Sequence, residues 1–178
     1  MKSFARNSHM PLFVPDYMAS SLTSIDFELL KASGVRFIAF DADSTLVPFR
    51  GKILTEEVKQ FLSEKRGLFK GWCIASNRLT NDLLPLAESM DAQVIRATLT
   101  NRKPQRRFFE QVIRHFGCEP HEIAMIGDKL IADMWGAKRA GLTTVWVEKI
   151  GTDSPWDRLF HLRRTEKKLI KKYLPENQ

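Results

Sequence analysis

Cysteine is scarce in this sequence: its 178 residues hold two, Cys73 and Cys118. A disulfide framework would need more in so short a chain, so the thiols point to a reducing compartment. The four histidines (His9, His115, His121 and His161) show no metal-ligand spacing and read as surface or helix-end residues. Long hydrophobic runs are missing, since no stretch approaches the ~20 apolar residues that span a bilayer. The N-terminus, Met1-Lys2-Ser3-Phe4-Ala5-Arg6, lacks the apolar core of a secretory signal. A basic, serine-containing organellar transit peptide is the alternative there to a plain cytosolic start. No internal repeat and no low-complexity segment interrupts the chain, and a single domain is expected over residues 1–178.

What is present suits a globular α/β protein. Hydrophobic residues make up 43%, enough for one buried core, and 28 Lys and Arg outnumber 21 Asp and Glu to give a net charge of +7. That excess favours anionic partners, namely phosphate esters, nucleic acid or an acidic membrane surface. Short, nearly continuous apolar runs predict strands at Arg36–Asp41, Gly71–Ser76, Ala92–Arg96, Glu122–Gly127 and Thr143–Glu148. Helices are predicted between them at Thr55–Lys65, Leu79–Met90, Pro104–Phe116 and Leu130–Ala140. Pro85 is expected to kink or break the second, and Pro104 to open the third. Strand and helix alternate, which implies a parallel sheet of about five strands with helices on both faces. In such sheets ligands bind beyond the carboxyl ends of the strands.

Chemistry collects at those ends. The first strand runs out into Asp41-Ala42-Asp43-Ser44-Thr45, where two carboxylates share a tight turn at the edge of a core strand. Burying such a pair is costly unless a cation or phosphate chemistry compensates. The second strand ends in Ser76-Asn77-Arg78, a hydroxyl, an amide and a guanidinium that suit phosphate oxygens and that serve equally as helix caps. Lys103 precedes Pro104, either as an ordinary exposed lysine or as a fixed positive charge at the crevice mouth. Asp128 closes the fourth strand, with Asp133 five residues later, as metal ligand and supporting carboxylate or as helix cap. Taken together, the four places converge on one end of the sheet. Their oxygen donors suit Mg²⁺.

These motifs, in this order, resemble those of the haloacid dehalogenase (HAD) superfamily of phosphatases. Asp41, Asp43 and Thr45 form its Asp-x-Asp-x-Thr motif, Ser76 its second, Lys103 its third, and Asp128 with Asp133 its fourth. Within the superfamily the chain resembles the small subfamily IIIA proteins of the YqeG type. The likeness includes a Pro-x-x-Tyr segment at Pro11–Tyr17, the Ser76-Asn77 pair, Arg102-Lys103-Pro104, and a basic C-terminal helix after Asp153-Ser154-Pro155. It departs at Ser44 and Arg78, where asparagines are usual. The resemblance implies a Rossmann-like fold, with Asp41 as nucleophile and Asp43 as acid and base. It further implies Thr45 and Ser76 on the phosphoryl oxygens, Lys103 offsetting their charge, and Mg²⁺ held by Asp41, Asp128 and the Asp43 carbonyl.

About 30 residues separate Thr45 from Ser76 and about 26 separate Ser76 from Lys103, too few for a cap domain. An open site implies a large substrate: a protein, a nucleic acid or a lipid headgroup. At about 156–174 an amphipathic helix is expected, with Trp156, Leu159, Phe160, Leu169, Ile170 and Tyr173 on one face and lysines and arginines on the rest. Such a helix can lie on an anionic bilayer or pack on the sheet edge. The resemblance extends to phosphatases of phosphatidylglycerol phosphate, which makes that lipid the first expected substrate and peripheral membrane contact the first expected partner. The corresponding locations are the cytoplasm, or the mitochondrial matrix in a eukaryote. The second reading is a soluble phosphatase acting on a nucleotide, sugar phosphate or phosphoprotein. The third is a non-catalytic RNA- or partner-binding protein, although no dedicated nucleic-acid motif is present.

Overall fold

A computed structural model describes residues 1–3, 11–151 and 168. Of the expected C-terminal helix only Lys168 is among them, so the rest of that expectation lies outside the described residues. Among the described residues seven strands form one sheet: β1 (Lys2–Ser3), β2 (Tyr17–Ala19), β3 (Phe37–Phe40), β4 (Gly71–Ser76), β5 (Gln93–Arg96), β6 (Ile123–Gly127) and β7 (Thr143–Val147). Their order is β1-β2-β7-β6-β3-β4-β5, parallel throughout except for the antiparallel β1–β2 pair. The five predicted strands form the parallel centre, within a residue of their expected bounds. The two additions, β1 and β2, are too short to show a period. β2 is tied on by Asp16, whose carboxylate accepts from the backbone N–H of Thr144 at 2.9 Å and from its hydroxyl at 2.8 Å.

Helices α1 (Phe27–Ala32), α2 (Glu56–Lys65), α3 (Leu84–Ser89), α4 (Arg106–Phe116) and α5 (Gly136–Arg139) connect the strands. Strand alternation sorts the core into two layers. Ile38, Phe40, Ile74 and Ile126 pack with Phe27 and Leu30 of α1, Leu62 of α2 and Leu86 of α3 on one face. Ala39, Cys73, Ala75 and Met125 meet Phe108, Phe109 and Val112 of α4 and Ala137 of α5 on the other. Small strand residues there leave room for two phenylalanines. Each buried side chain of that size contributes roughly 1.5–3 kcal/mol.

Helix boundaries follow their end signals in some places and depart in others. Thr55 caps α2, its hydroxyl accepting from the Val58 N–H at 3.3 Å, and Glu56 and Glu57 occupy the favoured first turn. Gly117 ends α4 in the left-handed conformation, φ 61°. The expected helix Leu79–Met90 is shorter. Asp82 draws the Thr80 hydroxyl into a local turn, and α3 begins at Leu84 with Pro85 in its first turn, where a missing N–H costs nothing. Pro85 therefore starts the helix instead of kinking it. Pro104 lies outside α4: Gln105 is still extended (ψ 135°), and the helix begins at Arg106. Leu130–Trp135 is a π-helical stretch that passes into α5, replacing the regular helix expected over Leu130–Ala140.

Candidate active site

The carboxyl ends of β3, β4, β5 and β6 bring all the sequence-predicted site residues to one end of the sheet. Asp41 leaves β3 with its N–H bonded to the Ile126 carbonyl at 2.8 Å, so its position is fixed by β6. Asp41, Asp128 and Asp133 are buried together, each offering a carboxylate oxygen within 4.8 Å of the others. Lys103, itself buried, reaches into this group with Nζ 2.6 Å from Asp41 and 2.7 Å from Asp133. Burial pushes the Asp41 carboxyl up to about 7. Lys103 opposes that rise, and Asp133 and Asp128 add to it. Burial favours loss of the Lys103 proton, but Asp133 and Asp41 outweigh it and raise the lysine above its ordinary value. The ammonium therefore stays charged.

Three mutually close carboxylates are hard to keep ionised in a buried place. Lys103 compensates in part, and Lys129 places its Nζ 3.3 Å from Asp128. An all-oxygen donor set with surplus negative charge fits a hard divalent cation. Asp133 is held firmly: the Lys129 N–H donates to its Oδ2 at 3.1 Å, and its side chain lies against Gly127. A Cβ at residue 127 would stand 2.5 Å from that oxygen, so the close approach requires glycine. The Trp146 indole N–H fixes the Asp128 backbone carbonyl at 2.9 Å.

The remaining residues surround this group. The Thr45 hydroxyl is buried with no hydrogen-bond partner among the described residues. Ser76 is buried and accepts from the Arg78 N–H at 3.1 Å. Asn77 clamps the lysine loop: its amide donates to the Lys103 carbonyl at 3.0 Å while its carbonyl accepts from the Lys103 N–H at 2.9 Å. Arg78 forks onto Asp43, Nε to Oδ2 at 2.9 Å and Nη2 to Oδ1 at 2.5 Å, and also reaches the Gly51 carbonyl at 2.9 Å. The Arg50 N–H, on a residue with φ 60°, completes the grip on Asp43 at 2.6 Å. Burial alone would raise the Asp43 pKa, but the bonds from Arg78 and Arg50 outweigh it and hold the carboxyl below its ordinary value.

Asn77 and Arg78, expected on the substrate, thus each have a partner inside the protein. Lys129, Arg50, Gly127 and Trp146 were not singled out from the sequence. Lys129 alone carried a signal, as the cation next to Asp128. Between Thr45 and Ser76 lie α2, short turns and β4, and between Ser76 and Lys103 lie α3 and β5, so no cap stands over this end among the described residues.

The HAD-hydrolase-like family matches residues 100–166, a span that takes in Lys103, Asp128 and Asp133. Phosphatidylglycerophosphate phosphatase 1, chloroplastic/mitochondrial, of Arabidopsis thaliana is 28% identical over 171 residues, covering 90% of this chain and 48% of the relative. The probable phosphatase YqeG of Bacillus subtilis is 25% identical over 158 residues, covering 89% of this chain and 90% of the relative. The chain thus spans about half the length of the plant protein and most of the bacterial one. An uncharacterized protein from Listeria monocytogenes has the same fold, with a TM-score of 0.54 at 18% identity over 73% of this chain and 99% of its own. Residues 100–166 are thus HAD-hydrolase-like, and the likeness to the two relatives runs over most of the chain. Both relatives are named as phosphatases.

Proposed function

We propose that the chain is an Mg²⁺-dependent phosphomonoesterase acting through an aspartyl-phosphate on Asp41, with phosphatidylglycerol phosphate as its substrate. The observation that carries the chemistry is the buried group of Asp41, Asp128 and Asp133 around Lys103, an arrangement too costly to serve packing alone. Asp41, Asp128 and the Asp43 backbone carbonyl would hold the ion, with Asp133 completing the acidic set. The chemistry Mg²⁺ supplies when bound is charge neutralisation between an anionic nucleophile and an anionic phosphate.

The chain's own residues do the rest. An Asp41 carboxylate oxygen attacks phosphorus as the bond from phosphorus to the leaving oxygen breaks, which splits one hard step into two easier ones. Asp43 gives its proton to the leaving alcohol, then takes one from the water that hydrolyses the aspartyl-phosphate. In the structure Asp43 is held ionised by Arg78, so its carboxylate must turn from that fork before it can carry a proton. Thr45 and Ser76 offer hydroxyls to the phosphoryl oxygens, and Lys103 balances their charge. Asn77 holds the Lys103 backbone in register.

The lipid is supported by the name of the Arabidopsis relative, by the lack of a cap over the site among the described residues, and by the basic sequence at 156–174. With these goes a location at an anionic membrane face, cytoplasmic or in the mitochondrial matrix. Phosphate release from phosphatidylglycerol phosphate in mixed micelles, with and without Mg²⁺, beside a panel of soluble esters, is the test. Mg²⁺-dependent release from the lipid above all soluble esters is expected. Release from soluble esters alone would keep the Asp41 chemistry and discard the lipid, and release from none would discard both.

A further inference from the structure

Large apolar side chains are exposed unevenly over the surface. Seven stand out among the described residues, and five of them (Ile53, Leu79, Leu84, Leu99 and Ile131) lie on segments that follow the carboxyl ends of β3, β4, β5 and β6. Only Leu12 and Leu29 lie elsewhere. Ile53 and Leu99 are the most exposed, at 82% and 84%. Each stands on a loop that also bears a site residue's partner or the site residue itself. Ile53 is two residues from Gly51, whose carbonyl Arg78 holds, and Leu99 is on the turn that leads into Lys103. Leu79 follows Arg78 directly.

Cations alternate with these side chains. Arg50 and Lys52 precede Ile53, Arg96 precedes Leu99 and Arg102 follows it, and all four are exposed. Several acids at this end have partners. Asp43 and Asp82 face Arg78, Glu56 pairs with Lys59, and Glu57 lies within reach of the Thr23 hydroxyl. Aliphatic tips set among basic residues on several loops at one end of the sheet differ from the charge-depleted patch that a folded protein partner buries. They suit a fluid, negatively charged surface into which each tip inserts on its own while the cations meet headgroups.

We infer that the loops around the catalytic opening form a docking face for an anionic lipid bilayer, with Ile53 and Leu99 as its inserted tips. This rests on the phosphatase reading for its purpose, because it sets the crevice against the layer that presents lipid phosphates. It does not rest on that reading for its existence. The net charge of +7 is complementary to such a surface.

The test is co-sedimentation of the full chain with vesicles of phosphatidylcholine alone and of phosphatidylcholine mixed with phosphatidylglycerol, beside turnover of para-nitrophenyl phosphate in solution. Wild type is expected to pellet with the mixed vesicles and not with the neutral ones. Ile53→Asp with Leu99→Asp is expected to weaken that binding by about tenfold or more, with the soluble turnover kept. Leu12→Asp, away from the face, is expected to leave both unchanged. Should the double aspartate variant lose its circular dichroism, Ile53→Ser with Leu99→Ser repeats the measurement without new charge. The inference is overturned if wild type ignores the mixed vesicles, as a protein-docking face would. It is equally overturned if the double variant binds as wild type does, or if Leu12→Asp loses as much. Vesicle binding that follows the expected pattern in a chain that cleaves no ester would leave the docking face standing and remove the phosphatase reading.

Discussion

The two ends of the sheet hold charge in opposite ways. At the carboxyl end Asp41, Asp128, Asp133 and Lys103 are buried within ion-pair distance, and acids outnumber cations in the innermost group. At the amino end a hollow of about 650 Å³ opens between Arg66, Lys70, Trp72, Asp91, His115 and Phe116. Its charges lie nearer the solvent: Arg66 meets Asp91 at 3.4 Å with side chains 34% and 94% exposed, and its guanidinium lies over the Trp72 ring at 4.8 Å. The Trp72 indole N–H is itself satisfied by the Met90 carbonyl at 2.7 Å. That hollow is therefore the less reactive of the two places. What marks a site in this molecule is uncompensated charge kept from water, because that is the arrangement folding alone would discard.

The comparison breaks most sharply on Asp41. Asp41→Asn is expected to reduce Mg²⁺-dependent phosphate release below detection while circular dichroism stays that of wild type; an active variant would refute the nucleophile. A second consequence is in pH. The Asp41 carboxyl has a folded-state pKa of about 7 against an ordinary value near ~3.9 unfolded. The folded protein thus binds a proton that the unfolded chain has lost, and the associated stability is full below the unfolded value and is lost as pH rises through about 7. In chelator, the melting temperature is expected to fall over that window in wild type and to fall less in Asp41→Asn. Added Mg²⁺ is expected to reverse the loss above pH ~7.

Gly127→Ala sharpens the contrast by packing alone. Its methyl group would meet the Asp133 carboxylate, and thermal denaturation should show a cost of about 1–3 kcal/mol together with weaker Mg²⁺ binding. The smallest effect belongs to the other end. Arg66→Ala removes the contact over Trp72, and its expected stability cost is about 0.5–1 kcal/mol with phosphate release unchanged. A loss of turnover in that variant would make the amino-end hollow part of the enzyme.

How far the residues foretold this depends on whether the signal was local. The five central strands were legible because each is an unbroken apolar run buried on both faces, and the ends of those runs carried the acids. β2 was not, because three residues show no period and its place depends on Asp16 finding Thr144 across 128 positions. The π-helical stretch at Leu130–Trp135 was hidden for a similar reason, since its composition is that of an ordinary helix. At the site, residue types announced a phosphate-handling centre, whereas partnerships did not. Arg78 reads as a free guanidinium at a strand end, and only the fold shows that the loop from Gly51 and the Asp43 carboxylate come round to occupy it.

Gly127 also has a bearing on the history this chain can have. Every amino acid that a mutation could place there adds atoms on the side where Asp133 lies, with no smaller neighbour to move to. A change at 127 becomes tolerable only after 133 has shrunk or moved, and a shrunken 133 gives up its pairing with Lys103. The two positions are therefore coupled, and a change at 127 is expected to be tolerated only once 133 has changed.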